Sequence, residues 1–253
     1  SIVLLSVFGG TSYIISFKLL KDLEGDTYSV KLIKFSIYYY LLSSLATWFL
    51  AGVLVTQGKT ELYYNTVYFY LHFLYNGFFV FALFGLFFKL LEAQKAPIVE
   101  QHQKYFFIFL NLACIPTYFL SILWSNVSIV FNILGGLAAV LQVVSLVYLI
   151  KIVIQFLTFK IVGKIEKSLI VFTIISYCLK IIIQVFSALP YFVSKSIAFK
   201  PFLIIGYLHL FTLGFMTVFI LFLLNEFRII SLKSTPSKIG VVITLIGILA
   251  TEI

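Results

Sequence analysis

The chain has 253 residues, of which 62% are hydrophobic and 11% are charged, and its formal net charge is +9. Soluble domains carry about 25% charged residues, and a soluble chain of this length has too little polar surface to enclose so many apolar side chains. A soluble globular protein is therefore excluded, and lipid forms part of the solvent around this chain.

Apolar stretches of about 20 residues recur along the chain, and a helix of that length crosses the roughly 30 Å hydrocarbon core of a bilayer. The stretches are continuous rather than alternating, which favours helices over the strands of a membrane barrel. With short connections between them, they predict one all-α transmembrane domain over residues 1–253, a bundle of about eight spans. In chain order the predicted spans are 2–20, 35–56, 64–88, 105–124, 127–150, 168–190, 201–224 and 239–253.

The first and last predicted spans coincide with the two ends of the sequence. The chain begins with SIVLLSVF, without an initiator Met, and it closes with ITLIGILATEI. We therefore expect it to be an internal piece of a longer polytopic protein.

Basic residues are distributed unevenly between the two sides of the predicted bundle. Of the 18 Lys and Arg residues, 14 lie in or beside the odd-numbered connections, three lie in the even-numbered ones, and Lys180 lies inside a span. By the positive-inside rule, the odd-numbered connections face the cytoplasm. This orientation signal also accounts for the net charge, so no nucleic-acid partner is expected.

Two spans contain the same short phrase. YLHFLYNGFF at residues 70–79 and YLHLFTLGFM at residues 207–216 each place His two residues after Tyr and Gly five residues after His. Both spans are predicted to run inward from the outer surface, and each histidine lies about eight residues, or roughly 12 Å, below it. Two histidines at one depth on parallel helices can face each other or share a ligand.

This arrangement favours a haem, because imidazole from one or two helices of a bundle can hold a haem iron. We therefore predict a b-type haem with His72 and His209 as iron ligands. Polar neighbours on the same helical faces could orient the two rings. These neighbours are Tyr68, Tyr75, Asn76 and Thr212. The alternative is a pair of interhelical histidines that form hydrogen bonds without a cofactor.

The sixth predicted span carries Lys180 near its middle, with Gln184 one helical turn further on. A lysine at this depth is unfavourable unless it is paired, hydrated or neutral. We expect its amine to be hydrogen-bonded within the bundle or to lie in a water-filled cavity, not to face lipid. Its function is either a proton or ion relay or the binding of an anionic group such as a haem propionate; the alternative is structural pairing with polar groups of neighbouring helices.

Other residues are expected to shape the bundle rather than to take part in chemistry. On an α-helix Gly77 and Gly214 point about 140° away from the histidines, which favours a role in close helix packing. Pro116 is expected to bend the fourth span. Cys114 and Cys178 lie within apolar stretches without metal-ligand spacing and are expected to be small buried residues.

Four segments resemble bacterial polytopic membrane proteins described as haem–copper oxidase subunit I-like. They are YFYLHFLYNGFFVFALFGLFFKLLE, IIGYLHLFTLGF, IPTYFLSILW and CLKIIIQVFSALP, and the likeness extends over about residues 1–224. The resemblance implies that His72 and His209 are family-typical intramembrane histidines. It also implies a bacterial inner-membrane protein of respiratory electron transfer or of O2 or NO handling, with other membrane subunits as possible partners.

The chain departs from the oxygen-reducing oxidases in its histidines. A haem–copper centre needs three copper-ligating histidines beside the haem ligands, whereas this chain has three histidines in all, and His102 lies in a predicted loop. A His-x-His helix found upstream in similar proteins is also missing. A copper centre is therefore not expected from this chain alone.

Three functions remain open on the sequence. The matched histidines favour a haem protein that transfers electrons or binds a diatomic gas. The small loops and the few metal ligands favour a non-catalytic scaffold subunit of a larger membrane complex. Lys180 and the repeated phrase favour a transporter, although the phrase is too short to establish two homologous halves, and its two copies are parallel rather than inverted.

The charge distribution makes a topological prediction. In a variant without native cysteines, we expect a cysteine at position 126 to react with an impermeant maleimide from the outer side, and one at position 95 to react from the cytoplasmic side. Labelling of position 126 from the cytoplasmic side alone would contradict the orientation.

Overall fold

The computed structural model describes residues 2–125, 127–159, 163–192 and 200–251, and this part of the chain is helical and contains no strand, as predicted. Its main elements in chain order are α1 Ile2–Asp22, α2 Tyr28–Gln57, α3 Glu61–His72, π1 Phe73–Phe79, α4 Val80–Ala93, α5 Glu100–Cys114, α6 Tyr118–Ser121, α7 Ile129–Phe159, α8 Lys164–Ser187, α9 Lys200–His209, π2 Leu210–Thr217, α10 Val218–Glu226 and α11 Thr235–Ala250.

Among the described residues, five continuous helical segments are long and apolar enough to cross a membrane. They are Tyr28–Gln57, Glu61–Ala93, Ile129–Phe159, Lys164–Ser187 and Phe202–Glu226, which correspond to the second, third, fifth, sixth and seventh predicted spans. The predicted number of about eight spans is not confirmed. Three predicted spans are not among these segments and stay predictions, namely 2–20, 105–124 and 239–253.

The outer surface of the bundle requires lipid. In α7, Leu149 and Ile152 are buried, whereas Leu137 and Ile154 are more than half exposed on the opposite side. A helix that is apolar on all sides is stable where a membrane covers its outer face. The chain is therefore a multi-spanning helical membrane protein.

The fourth predicted span is broken rather than bent. Pro116 has no N–H and its ring collides with a preceding helical turn, and α5 ends two residues before it. The N–H of Tyr118 then bonds to the carbonyl of Ile115 at 3.1 Å instead of continuing the α-helical pattern. This shift leaves the carbonyl of Cys114 free to accept hydrogen bonds from side chains.

The two repeated phrases adopt the same unusual backbone. In the third and the seventh span, the α-helix ends at the histidine and a π-helix follows at once, π1 after His72 and π2 after His209. Within π2 the hydroxyl of Thr217 donates to the carbonyl of Thr212, five residues earlier, at 2.9 Å. The sequence predicts plain α-helices here, and the wider π turn moves the glycine towards the face of the histidine.

The glycines within the π-helices allow two close helix contacts. A Cβ atom on Gly77 would lie 2.5 Å from the Cβ atom of Tyr39 on α2, and one on Gly214 would lie 2.8 Å from the Oγ atom of Ser176 on α8. The role in close packing that the sequence predicts for these two glycines is therefore confirmed.

The third and seventh spans run side by side through the aromatic core. Ring contacts between them join Tyr75 to Phe211 at 5.4 Å, Phe84 to Phe215 at 5.7 Å and Phe87 to Phe222 at 6.4 Å between centroids. Offset and tilted aromatic pairs of this kind stabilise beyond their buried area. These two spans therefore form the centre of the bundle, on which the polar residues described below are placed.

We expect Gly77→Ala and Gly214→Ala each to lower the free energy of unfolding by about 1–3 kcal/mol, because the added methyl group overpacks a fixed helix contact. Gly52→Ala is the matched control, since Gly52 lies in α2 with no atom near its missing Cβ. Unfolding in detergent micelles, followed by circular dichroism, measures the three values. Equal stabilities of all three variants would contradict the packing role.

Candidate functional site

His72 is anchored by the broken fourth span. Its side chain is 3% exposed, and its Nε2 atom lies 2.8 Å from the carbonyl oxygen of Cys114. Since a carbonyl accepts and cannot donate, the ring carries its proton on Nε2 and leaves Nδ1 as an acceptor. The amide nitrogen of Asn76 lies 3.5 Å from that Nδ1 atom. The hydrogen bond to Cys114 thus fixes both the orientation and the tautomer of the imidazole.

Asn76 connects this histidine to the seventh span. Its side chain also lies against the hydroxyl of Tyr207 on α9, while its Oδ1 atom is buried without a hydrogen-bond partner. Cys114 in turn approaches Asn76 through its thiol, 3.8 Å from the Asn76 carbonyl. One side chain therefore contacts polar groups of two different helices at the centre of the bundle.

Lys180 lies inside the bundle next to this cluster. Its side chain is 1% exposed, so it does not face lipid. The Nζ atom lies 5.3 Å above the ring of Tyr177 on its own helix, and the lysine is close enough to His72 and Cys114 for electrostatic interaction. Gln184, one turn further along α8, is buried and its Oε1 atom has no hydrogen-bond partner.

In the described part of the chain, no acidic side chain accompanies Lys180. The nine Asp and Glu residues of the sequence are Asp22, Glu24, Asp26, Glu61, Glu92, Glu100, Glu166, Glu226 and Glu252. Those within described helices lie at helix ends. On its own helix the nearest is Glu166, 14 residues or roughly 21 Å away. Among the described residues, no carboxylate therefore neutralises a charged lysine here.

Three contributors to the cluster were missed by the sequence analysis. Tyr39 packs against Gly77 and donates its hydroxyl to the side chain of Asn111 at 2.6 Å. Tyr207 contacts Asn76, and Cys114 contacts the cluster through both its carbonyl and its thiol. In the sequence, Pro116 indicates that a backbone carbonyl is left free, and Gly77 indicates that another helix comes close. Neither residue shows which side chain or helix makes the contact.

The structure does not bring His72 and His209 into contact. Tyr207 and Phe211 face the third span, and His209, two residues after Tyr207, lies about 200° around the helix from it. The Nδ1 atom of His209 is buried without a hydrogen-bond partner, whereas the His72 ring packs against Tyr118 at 5.8 Å. The two rings therefore belong to different surroundings.

The remaining predicted neighbours are also divided between the helices. Tyr75 packs on Phe211 across the two central spans, and Tyr68 contacts the ring of Trp124 at 5.9 Å. Thr212 donates its hydroxyl to the carbonyl of Leu208 in its own helix at 2.7 Å and does not orient His209. Of the four, only Asn76 contacts a histidine.

This packing does not fit a haem held between His72 and His209. A macrocycle there would have to displace the Tyr75–Phe211 ring contact and the approach of Asn76 to Tyr207, and iron binding at Nε2 of His72 would break its bond to Cys114. In the described part of the chain, no group of three or more His, Cys, Asp or Glu side chains could hold a metal ion. Haem binding by these histidines stays a prediction of the sequence.

The fold and the site define a multi-spanning helical membrane protein with a buried cluster of polar groups between its central spans. Comparison with protein-family models, with curated proteins and with solved structures finds no match to this chain. The resemblance to haem–copper oxidase subunit I-like proteins therefore stays a prediction, and the function rests on the geometry.

We expect His72→Leu to lower the free energy of unfolding by about 1–3 kcal/mol, because the change removes a buried hydrogen bond to the Cys114 carbonyl. His72→Gln keeps an N–H donor near that position and should lose less. His209→Leu is the matched control, because the described residues contain no hydrogen bond to its ring. Detergent unfolding compares the three, and equal losses for the two leucine variants would contradict the anchoring role.

Proposed function

We propose that this chain is a membrane transporter in which Lys180 takes up a proton together with a small anion. The observation that carries the proposal is the burial of Lys180 inside the bundle without an acidic partner among the described residues. Structural lysines in membranes pair with anionic groups or extend to the interface, whereas Lys180 is buried beside the ring of Tyr177 and has no acidic partner in the described part of the chain.

The free-energy cost of burial determines which protonation state of this lysine is favoured. Moving an unpaired ammonium ion into a low-dielectric interior costs several kcal/mol or more, and such groups lose their proton instead. Two titratable groups from other helices interact electrostatically with Lys180, namely His72 and Cys114, and neither supplies a fixed negative charge: the histidine ring is held by a carbonyl, and the thiol is buried in the core. Burial therefore favours the uncharged amine when the lysine is alone.

An anion that enters beside this amine changes the balance. The amine and an anion A⁻ together bind one proton and form Lys–NH3⁺·A⁻, in which the opposite charges stabilise each other. Neither the proton nor the anion binds well without the other, so the two are taken up together on one side and released together on the other, which returns the lysine to its uncharged form and carries no net charge across the low-dielectric layer.

The polar groups around Lys180 suit such a ligand. Asn76 and Gln184 are buried amide side chains, and the N–H groups of an amide can donate hydrogen bonds to an anion. Tyr207 adds a hydroxyl group from the seventh span. These groups can form hydrogen bonds to a small anion.

The transport proposal is tested in proteoliposomes that contain a trapped pH-sensitive dye. An inward gradient of chloride, nitrate or phosphate should acidify the interior of vesicles with the wild-type protein for at least one of the three anions, relative to protein-free vesicles. Lys180→Met should abolish this signal, because the proton acceptor is lost. Lys167→Met, an exposed lysine on the same helix α8, is the matched control and should keep it.

Two outcomes would contradict the proposal: no acidification with any of the three anions, or the same acidification with Lys180→Met. An absorption spectrum of the purified protein tests the haem prediction in parallel. A Soret band that is lost in both His72→Ala and His209→Ala would support a shared haem and count against transport.

A further inference from the structure

The sequence contains a longer repeat than the two histidine phrases. The difference in position between His72 and His209, here called the histidine offset, also aligns LIKFSIYYYLL at 32–42 with LIVFTIISYCL at 169–179, and six of the eleven aligned letters are identical. The first pair of phrases lies in the third and seventh spans, and the second pair lies in α2 and α8. A constant offset across two separate helices is not expected from composition alone.

The structure repeats with the same offset. The π-helices begin at Phe73 and Leu210, each directly after its histidine. Within them Gly77 approaches Tyr39, and Gly214 approaches Ser176. The histidine offset relates Gly77 to Gly214 and also relates Tyr39 to Ser176, so both sides of this close contact are repeated.

A ring contact repeats as well. The ring centroids of Tyr40 and Phe78 lie 5.3 Å apart, and those of Tyr177 and Phe215 lie 4.9 Å apart. The histidine offset relates Tyr40 to Tyr177 and Phe78 to Phe215. Equivalent residues thus make equivalent contacts between α2 and the third span, and between α8 and the seventh.

The ends of the two central spans also correspond. Each closes with a left-handed residue, Lys95 at φ 51° and Arg228 at φ 60°. In each, the next N–H bonds to the carbonyl five positions earlier, Ala96 to Leu91 at 3.0 Å and Ile229 to Leu224 at 2.9 Å. This is the hydrogen bond of a Schellman cap. The second cap lies nearer to its histidine than the first cap does. The seventh span is therefore shorter than the third by about one helical turn.

We infer that this chain contains two copies of one structural unit, the second and third spans and the sixth and seventh spans, that lie in the same direction and meet along the third and seventh spans. The contacts between these spans fit a two-fold pseudo-symmetry axis parallel to the helices. Near such an axis each residue contacts a residue close to its own counterpart in the other copy, and three pairs do so, Tyr75–Phe211, Phe84–Phe219 and Phe87–Phe222.

The polar cluster then belongs to the boundary between the copies. His72 and Asn76 come from the first copy, and Lys180 and Tyr207 come from the second. The position equivalent to Lys180 is Ser43, which is fully buried and donates its hydroxyl to the carbonyl of Tyr40 in its own helix at 2.8 Å. The copies have therefore diverged at this position, and one joint site contains the lysine.

A boundary between parallel repeats is where transporters built in this way place their solute site. This part of the inference rests on the proposed transport function. The copies would move against each other at the third and seventh spans, and the pair of Lys180 and its anion would be exposed in turn on either side of the membrane.

Cysteine cross-linking tests the symmetry without reference to transport. In a full chain with Cys114→Ala and Cys178→Ala, and with a protease site inserted in the connection at 126–128, a cross-link keeps the cleaved chain in one piece on a denaturing gel. A short bis-methanethiosulfonate reagent should link the pair Tyr75→Cys and Phe211→Cys. The symmetry-related pair, Leu74→Cys and Thr212→Cys, should be linked as well.

The control pair is Leu45→Cys and Ile182→Cys. The histidine offset relates these two positions to each other, but both lie exposed on the outer surface, so the pair should give two fragments. Failure of the pair at 74 and 212, or equal linking of the control pair, would overturn the inferred symmetry.

The same variants separate the symmetry from the transport mechanism. The cross-link between positions 75 and 211 should stop the anion-driven acidification, and cleavage of the link by a reducing agent should restore it. Unchanged acidification in the linked protein would overturn the moving boundary but leave the symmetry intact. If the wild-type protein gives no acidification, the transport proposal fails while the cross-linking pattern still decides the duplication.

Discussion

The hydrocarbon layer of a membrane offers no hydrogen-bond partner, so each polar group inside this bundle is satisfied by the protein or remains costly. The arrangement of the core follows from that constraint. Pro116 breaks a helix and frees the carbonyl of Cys114, and His72 donates to it from the neighbouring span. Tyr39 and Asn111 form a similar bond between α2 and α5. Against this background, a lysine without an acidic partner in the same region indicates function more than structure.

The two π-helices determine how closely the neighbouring helices pack. A π-helix widens the turn after each histidine, and the glycine within it lets a neighbouring helix approach until another Cβ atom would collide. Such close contacts between backbones are the main way in which membrane helices gain van der Waals attraction, because lipid is as apolar as the side chains. The paired rings of Tyr40 with Phe78 and of Tyr177 with Phe215 then fix the register.

A duplicated scaffold explains why two similar phrases serve different purposes. In the first copy the histidine is held by a broken helix, and its neighbour Asn76 reaches across to the second copy. In the second copy the histidine has a buried nitrogen without a partner, and the helix that precedes it carries Lys180, where the first copy has Ser43. The scaffold residues, Gly and the aromatic pair, are retained in both copies, and so is the Tyr-Leu-His motif, whereas Asn76 corresponds to Leu213 and Lys180 corresponds to Ser43. Function in this protein is therefore associated with the asymmetry between the copies.

The sequence by itself determined the class of protein, the positions of the second, third, fifth, sixth and seventh spans but not the number of spans, the packing role of Gly77 and Gly214, and the unusual position of Lys180. Hydropathy, helix length and the cost of a buried charge act locally along the chain. The tertiary structure decided which groups meet. His72 and His209 share a predicted depth and a phrase, yet the direction of each ring depends on the turns that π-helices add and on the helix that packs beside it. A change of two positions along a helix reverses the face of a side chain, and sequence spacing on an assumed α-helix could not resolve that reversal.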